Sequence, residues 1–325
     1  ICSLQEAEEK HPSLLASISG KIVLPQEDKF SALTQLLDTD GLLVHIPKEL
    51  TVELPIHLNI FHDPASELGV FHLMISLEEN ATATVLHEWD GSGKDARRLL
   101  TGVVEIRTAK NANLEFVELQ TWPDSQWSIL HERAEVGANS QVNWSVYAEG
   151  GKYSRSFLGV NLAGERACSN ITGICLNTCP AQQDFDTFQH HQAQGTGSDL
   201  LFNGAMANDS RSIWKGMIRV EKQGMKTDGY QANRNLILCG KPRLESIPGL
   251  EILADDVRCS HGVSVGEIDL EQLFYLTSRG IPEGEAKQLI AQGFLNSGLG
   301  RIANEAIRRE VESRIQTRLA ELFCK

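Results

Sequence analysis

A recurrence of short alternating segments is the sequence feature that most restricts the fold of this chain. Runs such as "FHLMISL", "ATATVLHEW" and "GVVEIRT" alternate in polarity at the two-residue period of a β-strand. Small polar segments separate the runs 26 to 32 residues apart: "ENAT" at 79, "KNAN" at 110, "GANS" at 137, "AGER" at 163 and "GTGS" at 195. A period of this length without an intervening helical pattern predicts a stack of similar coils.

The predicted fold class is therefore mainly β, a β-solenoid. In such a stack each coil pairs its strands with the coils above and below, and the inward-facing Val, Ile and Leu form one continuous core. Later separators recur every 15 to 16 residues, at Asn208, Gln223, Cys239 and Ala254. A β-sandwich uses similar short strands and turns, but the repetition and the chain length favour the solenoid.

Helical patterns flank the β region. Near the start, "EDKFSALTQLLDTDG" has apolar residues at helical spacing and ends at Gly41. After residue 269, "DLEQLFYLTSRG", "IPEGEAKQLIAQGFL" and "NEAIRREVESRIQTRLAELF" are again helical. The sequence thus predicts three parts: a mixed or helical segment 1–40, a β core 41–268 and a helical region 269–325.

The last helical segment carries one apolar stripe with charges elsewhere. The stripe consists of Ile307, Val311, Ile315, Leu319 and Leu322. Two interpretations are open: the stripe packs on the end of the chain's own solenoid, or part of it docks a partner protein.

Composition excludes several classes of function. The formal charge of −13 argues against nucleic-acid binding, which needs clustered Lys and Arg. We expect no membrane span, because no run of about 18 apolar residues occurs.

The chain has seven cysteines, and an odd number in a chain of this length is not typical of a disulfide framework. We therefore expect mostly free thiols in a reducing compartment. Cys168, Cys175 and Cys179 lack the spacing of a zinc knuckle, and we predict them to be buried or half-buried thiols.

The stretch "DDVRCSHGVSVGEID", residues 255–269, is the main candidate site. On an extended strand Cys259 and His261 project to the same side. One thiol and one imidazole do not complete a four-coordinate site, so a metal held here requires ligands from another chain. The other interpretation is a surface histidine beside a buried thiol. A Cys–His nucleophile is disfavoured, because same-face neighbours stand about 6.5 to 7 Å apart along a strand.

The other motifs in the sequence give weaker evidence of function. Asp255 and Asp256 point to opposite faces of a strand, which disfavours a polysaccharide-cleaving enzyme with paired carboxylates. His190 and His191 lie in "QQDFDTFQHHQAQGTGS", which we expect to be a solvated strand and loop. No phosphate-binding loop occurs, so ATP hydrolysis, if the system uses it, belongs to another protein.

Four blocks carry a family resemblance: "KTDGYQANRNLIL", "PGLEILADDVRCSHGVSVGEID", "EQLFYLTSRGI" and "EAKQLIAQGF". They resemble signature blocks of the SufB/SufD family of iron–sulfur cluster assembly proteins, and the similarity runs from about Phe30 to the C-terminus. The resemblance implies a right-handed parallel β-helix flanked by helical regions. It also implies a complex in which a SufB and a SufD pair through their β-helices, each carrying a SufC ATPase on its C-terminal helices.

Two positions make the chain similar to the SufD type. SufB-type chains carry a cysteine where this chain has Asn233, and a glutamate where it has Gly262. The resemblance implies a nascent iron–sulfur cluster at the subunit interface, with His261 as this chain's metal ligand and Cys259 beside it. The cluster is then transient and shared with the SufB-like partner, and none is bound stably by this chain alone.

The resulting expectation is a non-catalytic scaffold subunit, not an enzyme. Its expected partners are a SufB-like chain and a SufC-like ATPase, with a homodimer possible for the isolated chain and no nucleic acid or membrane span involved. The expected location is the cytoplasm, or the plastid stroma in a plastid-bearing organism. The alternative function is a purely structural solenoid that contributes no iron ligand.

Overall fold

Two facing sheets of parallel strands form the walls of this protein. The computed structural model describes residues 1–37, 41–62, 66–91 and 98–323. The chain is mostly β and forms a parallel β-solenoid of about seven turns, with helices before and after it. The predicted fold class is confirmed. The predicted boundaries at residues 40 and 268 stay predictions.

The secondary-structure elements follow in chain order. Before the solenoid lie β1 (Cys2–Ser3), α1 (Leu4–Lys10), α2 (Pro12–Ile18) and α3 (Lys29–Leu36). The solenoid strands are β2 (Gly41–Ile46), β3 (Ile56–His62), β4 (Leu68–Leu77), β5 (Thr82–Gly91), β6 (Arg98–Thr108), β7 (Asn113–Trp122), β8 (Gln126–Val136), β9 (Gln141–Gly150), β10 (Tyr153–Leu162), β11 (Cys168–Asn177), β12 (Gln182–His191), β13 (Gly197–Asn208), β14 (Arg211–Val220), β15 (Asp228–Gly240), β16 (Arg243–Ile252) and β17 (Arg258–Glu267). The last helices are α4 (Leu270–Ser278), α5 (Glu283–Leu299) and α6 (Glu305–Phe323).

Successive strands alternate between the two sheets. The nine-stranded sheet has the order β1-β2-β4-β6-β8-β10-β12-β14-β16, and the eight-stranded sheet has the order β17-β15-β13-β11-β9-β7-β5-β3. All the strand pairs are parallel except β1 with β2. Side chains therefore stack coil upon coil, and alternate residues of each strand face the interior.

A ladder of left-handed backbone positions explains the sequence period. Non-glycine residues with positive φ include Asn80, Asn111 and Asn139, at 60°, 59° and 54°. The N–H of each donates to a carbonyl of the next coil, as from Asn80 to Lys110 and from Asn111 to Ala138. Asparagine tolerates this conformation better than most residues, so the polar segments of the sequence mark one turn of the stack.

The N-terminal segment packs on the outer face of the nine-stranded sheet. Asp28 caps α3, and Thr34 Oγ1 lies 2.8 Å from Thr101 Oγ1 on β6. Glu105 of β6 is fully buried and accepts N–H bonds from residues 20–23 at 2.8 to 3.1 Å. His72 Nε2 lies 2.9 Å from the same carboxylate. Burial removes the water that would otherwise bond to this carboxylate, and the N–H groups of residues 20–23 take its place. These charge-assisted bonds hold residues 20–23 in position on β6.

The C-terminal helices pack on the outer face of the eight-stranded sheet. The stripe residues Ile307, Val311 and Ile315 are 4%, 0% and 0% exposed, and they join one cluster with outward-facing residues of β7 to β15. Arg314 Nη2 adds a 2.6 Å bond to Glu88 Oε1. The stripe therefore packs on the chain's own solenoid, as one of the two interpretations had it, but on the flank and not on the end.

Within the described ranges, no helix combines the length and the apolar character that a membrane span requires.

Candidate functional site

The last coil of the solenoid is open. Strands β16 and β17 are the final members of their sheets, each has ten residues, and each pairs with one neighbour among the residues that the structure describes. We call residues 243–267 the open coil. Each strand presents a row of backbone N–H and C=O groups to solvent, which is a template for another strand.

His261 faces the interior side of the open coil. It lies in register with Gln231 of β15. Gln231 Nε2 donates across the interior to the carbonyls of Gly216 and Gly249, at 3.4 and 3.0 Å, so Gln231 points inward. Stacked residues of parallel strands point the same way. Because no further coil within the described part of the chain covers it, the imidazole of His261 is exposed.

The floor beneath the open coil is polar and hydrogen-bonded. Asn233 is 4% exposed, and its Oδ1 accepts bonds from Ser246 Oγ at 2.5 Å and Asn235 Nδ2 at 2.7 Å. Its Nδ2 reaches the Phe202 carbonyl at 3.4 Å. Asn233 thus serves as a structural amide that joins the two walls just below the open coil.

Cys259 lies two residues before His261 on the same face of β17 and stacks over Gly229. A Cβ at position 229 would lie 3.3 Å from Cys259 Sγ and 3.4 Å from His191 Nε2, so glycine leaves the space into which this thiol fits. Burial raises the pKa of the half-buried Cys259. The thiol is therefore protonated at neutral pH and must release its proton to bind a metal.

His191 forms part of the same floor and is buried. Its ring nitrogens lie 2.8 Å from Thr196 Oγ1 and 2.9 Å from Ser198 Oγ, and burial lowers its pKa to about 4. The expectation of a solvated strand and loop is therefore wrong for His191. His190, on the opposite face of β12, is partly exposed, with its Nε2 2.8 Å from Glu221 Oε1.

The open coil also exposes apolar side chains that face inward. Val263 and Val265 follow Cys259 and His261 on the same face of β17 and are 45% and 53% exposed, and Ile252 of β16 is 39% exposed. In earlier coils the same face is covered by the next coil. Exposed apolar surfaces of this kind are typical of protein contacts.

As ligands, His261 and Cys259 offer one nitrogen and one sulfur toward the same side. Among the described residues, no group of three His, Cys, Asp or Glu is arranged to hold a metal ion. Asp255 and Asp256, in the preceding turn, are both exposed. The geometry suits a partial site that a second polypeptide completes, and it leaves the ligand role of His261 a prediction.

The other cysteines lie apart from this site. Cys168 and Cys175 point to opposite faces of β11: Cys168 is exposed, and Cys175 is buried with its pKa raised to about 12. Cys179 is partly buried, 3.5 Å from Asp124 Oδ1, with its pKa raised to about 11. Exposure of Cys168 contradicts the expectation of a buried or half-buried thiol. Cys324 lies outside the described residues.

A second exposed apolar surface lies on α4. Leu270, Phe274 and Tyr275 are 76%, 73% and 58% exposed, and no residue of α4 is buried. Between α4, α5 and the end of β15 lies a groove of about 520 Å³ lined in part by Leu276 and Phe294.

Sequence reasoning missed the charged groups of the interior. Glu118 and Glu132 are 0% exposed, on strands whose inward positions are otherwise mostly apolar. The signal was present: alternation in "LEFVELQ" places Glu118 on the same face as Leu114 and Phe116.

Two family models match the chain. The model described as SUF system FeS cluster assembly, SufBD core domain, matches residues 61–294, and the SufBD protein N-terminal region matches residues 1–58.

Curated relatives agree with the family models. The SufD protein of Escherichia coli is 31% identical over 245 residues, covering 75% of this chain and 58% of the relative. The SufD protein of Bacillus subtilis is 26% identical over 294 residues, covering 90% and 67%. A SufBD family protein of Mycobacterium tuberculosis is 27% identical over 285 residues, covering 85% and 70%. The chain thus spans about three fifths to seven tenths of the length of these relatives.

Proposed function

Since this chain belongs to the SufBD family of the SUF iron–sulfur cluster assembly system, we propose that its open coil is one half of a shared assembly site. The chain is a SufD-like protein of that system. Its partner at the open coil is a SufB-like chain that adds strands to the free edges of β16 and β17. The observation that carries this proposal is the coincidence of two unpaired ten-residue edges with inward-facing, exposed Val263 and Val265.

His261 is this chain's ligand to the nascent cluster, which is the cargo of the assembly. A neutral imidazole binds iron, and its position on a strand in a regular ladder fixes the direction of the ring. Cys259 lies on the same face, two residues away. The remaining ligands come from the SufB-like partner, since Asn233 and Gly262 stand where SufB-type chains supply a cysteine and a glutamate.

A SufC-like ATPase docks on the C-terminal helices. The stripe of α6 is used within the chain, which leaves α4 and the adjoining groove as the accessible apolar surface. Helix α4 follows β17 after two residues. A movement of the ATPase on α4 is therefore transmitted directly to the strand that carries His261.

The chain acts as a scaffold without a catalytic residue of its own. Cys259 is a protonated thiol at neutral pH, which suits a ligand that loses its proton on binding better than a poised nucleophile. We place the complex in the cytoplasm, or in the plastid stroma of a plastid-bearing organism. At high concentration the isolated chain pairs with a second copy through the same open coil, and on dilution it is a monomer whose open coil is uncovered.

The test is His261→Ala in the chain co-expressed with its SufB-like and SufC-like partners. His57→Ala, at the opposite end of the solenoid on the edge strand β3, is the matched control, because its side chain is also exposed, at 51%. We expect the complex to assemble in both variants. Iron and sulfide content of the His261 variant should fall by about tenfold or more, and the control should keep both.

Full cluster content and full complementation by His261→Ala would show that the ligand role is wrong. The function would then be that of a purely structural solenoid. The lack of a three-residue ligand group among the described residues is the observation that favours this alternative.

A further inference from the structure

Two carboxyl groups face each other in the sealed interior, near enough to interact directly, several coils away from the open coil. Glu118 projects inward from β7 of the eight-stranded sheet and Glu132 from β8 of the nine-stranded sheet, and both are 0% exposed. Trp89 Nε1 donates to Glu118 Oε1 at 2.6 Å, and Gln120 Nε2 donates to the same oxygen at 3.1 Å. The proposed assembly site uses neither glutamate.

Three of the four carboxyl oxygens receive no bond from donor groups of the described residues. They are Glu118 Oε2, Glu132 Oε1 and Glu132 Oε2. A buried carboxylate oxygen without a donor is costly. The two carboxyl groups can bond to each other only if one of them keeps its proton, because a carboxylate has no hydrogen to donate.

No group of opposite charge faces the pair from the described elements packed around it. In register with Glu132 are Val104 of β6 and Leu158 of β10. In register with Glu118 are His87 of β5 and Val146 of β9.

The basic groups of the neighbouring strands do not balance the charge. His131 and Arg133 flank Glu132 on β8 but point to the outer face, where they pair with Asp28 and Glu27. His87 is fully buried, and burial lowers its pKa to about 3, so its ring is neutral. Arg98 begins β6, six residues before Val104, which along a strand is about 20 Å. Two carboxylates at this place would be two buried charges of the same sign.

We propose that Glu118 and Glu132 form a proton-sharing acid pair in the folded protein, and that this pair makes the closed part of the solenoid sensitive to alkaline pH. Two adjacent buried carboxyl groups do not both ionise, because desolvation and like-charge repulsion act in the same direction. The shared proton supplies the hydrogen bond that the free oxygens otherwise lack.

The electrostatics agree with this geometry. Burial raises the pKa of Glu132 well above its ordinary value, and the Glu118 carboxylate raises it further. Burial also raises the pKa of Glu118. The folded state thus keeps a proton that the unfolded state releases near the ordinary carboxyl pKa. The pair's contribution to stability is therefore complete below that ordinary value and is lost as pH rises towards the raised pKa of the pair.

The pair is connected to the helical flank through β7. Glu118 points inward, while its sequence neighbours Val117 and Leu119 point outward into the cluster that holds α6. The pair therefore lies on a strand whose outer face packs against the C-terminal helices.

The test compares the wild-type chain with Glu132→Gln, which keeps the shape and supplies an N–H without titrating. Glu135→Gln is the matched control, since Glu135 lies on the same strand, is partly exposed and pairs with Arg107 at 3.2 Å. The infrared spectrum reports the carbonyl band of a protonated carboxyl group directly. Urea unfolding, followed from pH 5 to about pH 9, reports the linked proton.

We expect a buried acid band in wild type and Glu135→Gln at pH 8 that is lost in Glu132→Gln. The ratio of the folding equilibrium constant of Glu132→Gln to that of the wild-type chain should rise by up to about tenfold for each pH unit above the ordinary carboxyl pKa. If Glu132→Gln does not fold, the wild-type band and the Glu118→Gln variant decide the question. A wild-type protein without the band at pH 8 would overturn the proposal. So would a stoichiometric divalent cation whose chelation makes the band appear.

Discussion

The middle of the solenoid and its last coil are built from the same alternating strands but have opposite surroundings. Val104 and Val146, in the middle, are 0% exposed, whereas Val263 and Val265 of β17 are 45% and 53% exposed. All four face the interior side of their coils. Alternation therefore determines which side of the wall a residue occupies, and the presence of a next coil determines whether it is buried.

The same contrast applies to the histidines. His191 lies in the covered part, with both ring nitrogens bonded and its pKa lowered to about 4. His261 lies on an exposed inward face of the open coil, where a second protein has access to it. The comparison indicates that the covered coils serve stability, while the open coil is available for binding.

The largest expected effect comes from charging the open coil. Val263→Lys combined with Val265→Lys should abolish association with the SufB-like partner, because each unpaired lysine buried in the contact costs several kcal/mol. The monomer should fold normally, since both side chains are already exposed. Co-purification measures the association, and Ser264→Lys on the outward face of β17 is the control. If the double variant still binds the partner, Val263 and Val265 are not part of the contact.

A smaller effect distinguishes covered from uncovered apolar residues. Leu130→Ala on β8, where Leu130 is 0% exposed, should lower the free energy of unfolding by about 2 to 5 kcal/mol. Val265→Ala in the dilute, monomeric chain should change it by less than about 0.5 kcal/mol, as a surface substitution does. Urea denaturation measures both. Similar losses for the two variants would mean that the coil at Val265 is already covered in solution.

The smallest effect is the pH dependence of the covered histidine. The folded-state pKa of His191, about 4, lies below its ordinary value of 6.5. As pH falls, the folded state therefore takes up this proton at a lower pH than the unfolded state does. Its stabilising contribution is complete above the ordinary value and is lost as pH falls from 6.5 towards 4. His191→Gln should make the decrease in unfolding free energy over that window shallower, by at most about 1.4 kcal/mol per pH unit.

The matched control for this titration is Gln189→Leu, on the same buried face of β12 as His191. Glutamine does not titrate, so its replacement should shift the unfolding free energy without changing its pH profile between 6.5 and 4. An unchanged profile in His191→Gln would show that the ring is not held neutral by burial.

Much of the fold follows from the sequence, for identifiable reasons. The separators around Asn80, Asn111 and Asn139 mark the left-handed turn of each coil, so their spacing predicted the solenoid. The alternation in β17 correctly placed Cys259 and His261 on one face. The position of α6 was not predictable, because its stripe fits any apolar surface, and a sequence does not state which face of a sheet remains uncovered.

The candidate site was predictable only in part. The residues of "CSHG" and their common face come from the sequence, while their exposure depends on the solenoid ending at β17. Gly229 and His191 beneath Cys259 were not found, because their proximity arises from pairing between distant strands. The Glu118 and Glu132 pair was missed for the same reason: the two residues come from different sheets.

The most direct test of the open coil is amide hydrogen exchange of this chain with and without its SufB-like partner. Backbone N–H groups of β17, residues 258–267, should exchange more slowly in the complex, while those of the opposite edge strand β3, residues 56–62, should be unchanged. Binding of the partner with no added protection in β16 or β17 would contradict the account.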